Sequence, residues 1–598
     1  MRALLVAGFL AFFSAGVAQG PEGTATVRGR VVDALSGKPL PQLTVRFSPQ
    51  PRGSYSPGVD PQPPNRTAIT GADGAFELPR LVAADYSIYA DARGEYLPIQ
   101  YGSSSPTGHG RLLEVGESAR LDITIKAWRG ATIEGHVFDE RGRPVVGADV
   151  RVYPDDSSIY GSASTDDRGA YQVPRLRPGR YAVGVPITLW NRTISATPGR
   201  PTSYGSRLGG YVLDQALRTL LWPYGAPLPP AADDGRPRVY ETTFAGGSRT
   251  KAGAATFRLE AGDVRSNVDI TLTAVRGVRV AGIVSAPGHV DGTILTLTRP
   301  GVSENLEGSI QATSAKDGTF VFVAVPPGQY TLTGHRRKPP LTEVTLASGY
   351  SVGGDDVFLN DPDDVWLKMP LAVGDADVDD LVLALRIGTA VNGRVVIEDA
   401  GPSENAPRQE PRIQLAPTHQ PESGLDDRYV PIGREGTVAM RIKPGSYRIL
   451  CRFGAVGRTF KTAIVNGIEI GDGPLVIGEE PIADLQFVFA RIDTMLHGAV
   501  VDASGTPRPR GTVLVFPADR DRWFRLEESS YGRRIEFTDG RYQVAGLPPG
   551  DYYAIALDSH QRGFSSPGLE ALIDAATRVT LRGGAPQTIS LTVRQDQK

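Results

Sequence analysis

The sequence predicts an all-β protein, five tandem β-sandwiches behind a cleaved signal peptide. Three observations carry that reading. One phrase, TDGRYQVAGLPPGDYYAIALD (538–558), recurs with variation four more times upstream. Each copy follows a short alternating strand with a glycine at its centre. Helical periodicity is almost absent between the copies, and short strands separated by turn signals are the mark of antiparallel sandwiches of about 100–120 residues.

The chain begins MRALLVAGFLAFFSAGVAQG, with one cation (Arg2), an apolar run over 3–13, and small residues at Gly16 and Ala18. That order is expected of a secretory leader, residues 1–18, and its apolar run is too short for an anchor. No later run reaches the roughly 18 apolar residues of a membrane-spanning helix, so no membrane span is expected. Localisation is expected to be exported, whether periplasmic, cell-surface or extracellular. The 598 residues call for several domains. Gly and Pro, 70 and 48, point to many tight turns rather than disorder. A formal charge of −2 leaves no footprint for nucleic acid. Cys451 is the only cysteine, so disulfides are excluded and stability must come from packed cores.

The other copies are TGADGAFELPRLVAADYSIYA (70–90), TDDRGAYQVPRLRPGRYAVGV (165–185), SAKDGTFVFVAVPPGQYTLTG (314–334) and GREGTVAMRIKPGSYRILC (433–451). A turn glycine and a tyrosine sit twelve apart in Gly74/Tyr86, Gly169/Tyr181, Gly318/Tyr330 and Gly540/Tyr552, and eleven apart in Gly436/Tyr447. The preceding strands centre on Gly29, Gly135, Gly282, Gly393 and Gly498, and alternating runs such as LDITIKA and TISLTVR close the units. Asp-Gly suits a tight hairpin turn because glycine adopts positive φ freely, and Pro-Gly is expected to make the second turn by fixing one φ and freeing the next. Tyr181, Val183 and Val185 should share one inward face. Cys451, following Tyr447 and Ile449, should be buried on the matching strand. The expected units are 24–127, 128–276, 277–387, 388–492 (a degenerate copy) and 493–598. Junctions of a few residues lead to the expectation of an extended rod with limited hinging.

The sequence V-x-G-x-V, then GRPVVGADVRV (142–152), then D-x-x-G-x-Y and L-x-P-G-x-Y resembles the carboxypeptidase regulatory-like domain. The likeness covers nearly all of the chain after the leader; in unit four PRIQLAPTH stands for the second strand. The resemblance implies a transthyretin-like (prealbumin-like) Greek-key sandwich, a carbohydrate-binding-like fold, in a secreted or surface bacterial protein. In metallocarboxypeptidases the domain is an appendage, and no stretch remains here for a catalytic domain, so peptidase activity is not implied. Relatives forming Lys–Asn isopeptide bonds need a buried lysine on an early strand, and the opening strands hold none.

No acid, base, nucleophile or metal ligand recurs across the copies, so the expectation is a non-enzymatic protein without cofactor or metal. Gly349-Tyr350-Ser351-Val352-Gly353 has the spacing of a nucleophile elbow but lacks a following helix. His419 and Glu422 have zinc-ligand spacing in a proline-flanked run with no catalytic domain around it. The acidic clusters Asp355, Asp356, Asp361, Asp363, Asp364 and Asp375, Asp377, Asp379, Asp380 read as solvated loops, with calcium left open. The sequons at Asn65 and Asn191 would matter only in a eukaryotic secretory pathway.

One region departs from the repeat. The excursion 188–240 in unit two carries Trp190, Tyr204, Tyr211, Trp222, Tyr224 and Tyr240, and Val212, Leu213, Ala216, Leu217 and Leu220 predict a short helix over 211–222. Two readings stand: the aromatics pack the loop onto its own sandwich, or Trp190, Tyr204, Tyr211, Trp222 and Tyr224 form a carbohydrate- or protein-binding platform. The expected function is a spacer or adhesion array whose partners are envelope proteins or polysaccharide.

Overall fold

The computed structural model describes residues 23–594 apart from 51–63, 92–93, 107–109, 156–160, 187–188, 191–210, 215–218, 222–228, 230–231, 234, 300–308, 337–343, 346–350, 353–364, 399–410, 419–427, 453–457, 527–528, 558–568 and 571. The leader lies outside the described residues. By packing, the chain divides into two compact units, Met1–Arg129 and Gly130–Lys598. Regular structure among the described residues is strand, with only short helical turns.

In repeat one the opening strand Ala25–Asp33 lies between Ala75–Leu81, antiparallel, and the closing strand Arg120–Ala127, parallel. The facing sheet runs Arg66–Ile69, Thr44–Gln50, Ala84–Ala90. Alternation sends Val27, Val31, Val45, Phe47, Tyr86 and Ile88 into the shared core. The opening strands Ala131–Asp139, Val278–Ser285 and Thr389–Ile397 sit in the same way between one antiparallel neighbour and a parallel closing strand. Arg412–Pro417 supplies the second strand of repeat four. In repeat five the opening strand Met495–Val501 keeps this arrangement, but Arg533–Thr538 also pairs with Arg541–Ala545, and Gly550–Leu557 with Leu591–Arg594, joining the layers into one eight-stranded sheet.

The central glycines have a steric cause. A Cβ on Gly135, Gly282, Gly393 or Gly498 would meet a backbone carbonyl of the closing segment, Val268, Leu381, Leu485 or Ile589, at 2.2, 1.8, 1.9 and 1.7 Å. Each carbonyl stands where the closing strand's pairing slips or breaks, so the irregularity folds into the space the missing side chain leaves. Repeat one pairs without a slip, and there the Phe76 ring fills the place, 2.5 Å from a Gly29 Cβ.

The tyrosine of the phrase has one task in all five copies. Its hydroxyl donates to the carbonyl four residues upstream: Tyr86 to Val82 (3.0 Å), Tyr181 to Arg177 (2.8 Å), Tyr330 to Pro326 (2.7 Å), Tyr447 to Lys443 (2.7 Å) and Tyr552 to Pro548 (2.8 Å). The ring is buried while the hydroxyl closes the turn before its own strand, the logic of a tyrosine corner. The glycine of the Pro-Gly step serves that ring. A Cβ on Gly179 or Gly445 would lie 3.4 or 3.3 Å from the tyrosine two residues on, and Ala84 fills this place in repeat one.

The turn glycines take positive φ as expected, 72° at Gly74 and 74° at Gly169. The second turn differs from expectation. Its left-handed residue precedes the Pro-Gly step: Arg80 (59°), Arg175 (60°), Ala324 (57°) and Gly546 (72°). In the first three of these repeats it sits at a slip in the pairing with the opening strand, where a bulge needs one residue in that region.

The excursion also corrects the sequence reading. In place of a helix over 211–222, the chain forms strands Tyr211–Asp214 and Thr219–Leu221, paired antiparallel. Leu189–Trp190 pairs parallel with Tyr211–Val212 on one side and with Ile310–Gln311 of repeat three on the other. The excursion's backbone therefore extends the sheet of repeat three. The buried apolar side chains of repeats two and three form one continuous cluster, from Ala131 to Leu385.

Candidate functional site

Of the platform residues, Trp190 and Tyr211 lie on paired strands, and Tyr204, Trp222 and Tyr224 lie outside the described residues. Tyr240 is buried on Arg238–Tyr240, and burial pushes its hydroxyl up to about 12. Ser351 of the elbow-like run lies on Ser351–Val352, a short antiparallel partner of Val344–Thr345, and the residues that follow, 353–364, lie outside the described residues. His419, Glu422 and the cluster 355–364 lie outside the described residues. In the second acidic cluster, Asp377 accepts from the Arg279 backbone N–H (2.9 Å) and Asp379 pairs with the Arg279 guanidinium (2.5 Å). Those carboxylates serve the junction of strands. Among the described residues no group of three or more His, Cys, Asp or Glu side chains is placed to hold a metal ion.

Cys451 is buried in the core of repeat four with Tyr447, and burial pushes its thiol up, away from the reactive thiolate.

The strongest charge constellation of repeat one ties its two ends together. Asp33 ends the opening strand, almost fully buried, and its carboxylate accepts from Arg129 Nε (2.7 Å), Tyr96 Oη (2.8 Å) and the Ser36 N–H (2.7 Å). Burial alone would raise its pKa, but these donors outweigh it and hold the carboxyl well below the usual range. Burial, together with the Asp33 carboxylate, pushes the Tyr96 hydroxyl up to about 12. Arg129 also reaches Glu95 at 3.2 Å. In repeats two and five, Asp139 and Asp502 occupy the equivalent strand end and cap the following turn through backbone N–H groups. A constellation shared in this way is a turn device, and both oxygens of the Asp33 carboxylate are already engaged.

Sequence reasoning missed one concavity. On the outer face of repeat one a hollow of about 610 Å³ opens over Gly29, lined by Arg28, Arg30, Phe76, Glu77, Asp122 and Thr124. Arg28 pairs with Glu77 at 3.2 Å and Arg30 with Asp73 at 3.5 Å, both pairs exposed. Exposed pairs of this kind contribute only about 0–1 kcal/mol to stability. Alternation along three strands places Arg28, Arg30, Glu77, Asp122 and Thr124 side by side, a pattern visible only once the register is known.

Residues 26–126 and 132–202 match the carboxypeptidase regulatory-like domain. No curated protein sequence matches the chain. Solved structures similar to it include a streptococcal ancillary pilin, 12% identical over 61% of this chain and 98% of that one, with a TM-score of 0.19. The minor pilin of Streptococcus agalactiae is 12% identical over 42% of this chain and 97% of its own, with a TM-score of 0.20. The major pilin subunit of Bacillus cereus is 12% identical over 60% and 99%, with a TM-score of 0.13. Scores this low carry no argument about function.

Proposed function

We propose that this chain, whose first two repeats are carboxypeptidase regulatory-like domains, is an exported, non-catalytic array of the bacterial envelope that spaces and displays its loops for adhesion to proteins or polysaccharide. The observation that supports this most is the fate of the recurrent residues. The five tyrosine hydroxyls are engaged by turn carbonyls, and the central glycines by close approach of a neighbouring segment. What the repeats have in common is therefore architecture, and chemistry would have to reside in a single copy. The polar hollow over Gly29 has charge and hydrogen-bonding groups but neither histidine nor cysteine, which suits reversible binding better than turnover.

The test combines fractionation and turnover. Antibody detection should find the protein in the envelope or medium, the purified chain should be retained by envelope material, and peptide, ester and glycoside substrates should remain intact. Detection in the cytosol, or turnover abolished by one side-chain substitution, would overturn the reading.

A further inference from the structure

In all five repeats the first and last strands are parallel neighbours, and this fixes how each repeat meets tension. We propose that the chain is a load-bearing tether, each repeat closed by a mechanical clamp made of its opening and closing strands. The proposal rests on the spacer reading and adds the property a spacer under force requires.

The chain enters repeat one at the start of Ala25–Asp33 and leaves it at the end of Arg120–Ala127. Because these strands run parallel, entry and exit lie at opposite ends of one ladder. Tension along the chain slides one strand past the other and loads all the ladder bonds together. Antiparallel terminal strands would be pulled apart from one end, one bond at a time. In repeat one the pairing is unbroken over eight positions, from Thr26↔Arg120 to Asp33↔Ala127. Two further backbone bonds flank it, Thr26 N to Ala119 O and Ala34 N to Ala127 O, both 2.8 Å. At the exit, Arg129 is tied back to Asp33 by its guanidinium and Leu97 N donates to Trp128 O (2.9 Å), so force leaving the strand meets a second fastening.

The other repeats use the same clamp with interruptions. Repeat four pairs 393–397 with 485–489 after a slip, and repeat three pairs 282–285 with 381–384. Repeat two holds only 132–133 with 264–265 and 137–139 with 270–272, and repeat five only 496–497 with 587–588 and 500–501 with 591–592. Ladder continuity therefore ranks repeat one above repeats four and three, and these above repeats two and five.

The experiment holds the full chain by a tag at each end and records rupture force. Each repeat of roughly 100 residues should release about 35 nm of chain at ~3.6 Å per residue, and repeat two more, about 50 nm. Repeats two and five should yield first and repeat one last. The N-terminal attachment is then moved to a thiol at Leu35→Cys, a position 60% exposed just beyond the opening strand. Cys451 is buried, so the introduced thiol is the one that reacts. Force now enters at the same end of the ladder as it leaves, and repeat one should move from last to first to rupture while the remaining events keep their forces. Arg129→Ala should lower the force of repeat one in the original geometry. An unchanged force for repeat one from either attachment overturns the clamp. Loss of envelope retention with the force asymmetry intact would overturn only the adhesion reading.

Discussion

Tyr330→Phe and Tyr552→Phe remove the same atom from equivalent places, yet the surroundings predict unequal costs. Each ring stays buried and each loses one hydroxyl-to-carbonyl bond, of 2.7 and 2.8 Å. A neutral bond of this kind contributes about 0.5–1.5 kcal/mol net. The acceptors then differ. Pro548 is half-buried, so water replaces the lost donor, and Tyr552→Phe should cost about 1 kcal/mol. Pro326 is buried, and its stranded carbonyl adds about 1–3 kcal/mol, so Tyr330→Phe should cost about 2–4 kcal/mol. Arg299, whose guanidinium lies 5.7 Å from the Tyr330 ring centre, keeps that ring contact in the phenylalanine variant, so the contact adds nothing to the difference. Urea-dependent hydrogen exchange reads the two repeats separately, through peptides from Gly328–Arg336 and Gly550–Leu557. The control is Tyr89→Phe, on an exposed side chain. Its effect should stay within about 0.5 kcal/mol, as for surface substitutions in general. Equal small losses at Tyr330 and Tyr552, or a larger loss at Tyr552, would refute the assignment of these hydroxyls to turn closure.

A Cβ at position 393 would sit 1.9 Å from the Leu485 carbonyl, whereas Gly116 has open space around it. Gly393→Ala should therefore destabilise repeat four by at least about 3 kcal/mol, and Gly116→Ala should be neutral or slightly stabilising, by denaturant titration. Burial raises the folded-state pKa of Tyr542 and Tyr552 in repeat five. Their contribution is therefore complete below the ordinary tyrosine value of about 10 and falls as pH rises past it, by about 1.4 kcal/mol per pH unit for each, so hydrogen exchange above about pH 10 should show repeat five loosening steeply. Asp33 carries the opposite sign, because its pKa is lowered. Its contribution to repeat one is intact from neutrality down to about pH 4 and lost in stronger acid, and Arg129→Ala should flatten that acid limb in a pH-dependent melting series. If the excursion holds a saccharide, Trp190→Ala or Trp222→Ala should cost about 1–3 kcal/mol of retention on polysaccharide; lowered melting with no retention by the unsubstituted chain would remove the sugar reading.

What the sequence shows plainly is whatever depends on a few consecutive residues. Alternation at Tyr181, Val183 and Val185 places three side chains in the core, and all three are buried there. The glycine of each Asp-Gly turn announces its positive φ. Partners distant in the chain are hidden. Asp33 and Arg129 stand 96 residues apart, and neither residue type at either place signals the other. The segment 211–221 is ambiguous because Val212, Leu213 and Leu220 suit one helical face as well as two short strands. The deciding partner, Leu189–Trp190, lies about twenty residues upstream and is itself paired with Ile310 and Gln311 of the next repeat. The left-handed residue of the second turn is concealed differently. Arg80, Arg175 and Ala324 occupy that region at a conformational cost that no local pattern advertises, about 1–2 kcal/mol for a residue with a Cβ. Repeat five places Gly546 six residues after its turn glycine, the same offset as in the other three copies, so superposing the copies marks the site. Arg175 is exposed, and Arg175→Gly should therefore stabilise repeat two, by up to about 1 kcal/mol once glycine's own entropy loss is set against the relieved strain. A loss of stability there would mean that the arginine side chain, and not the turn, keeps this residue in place.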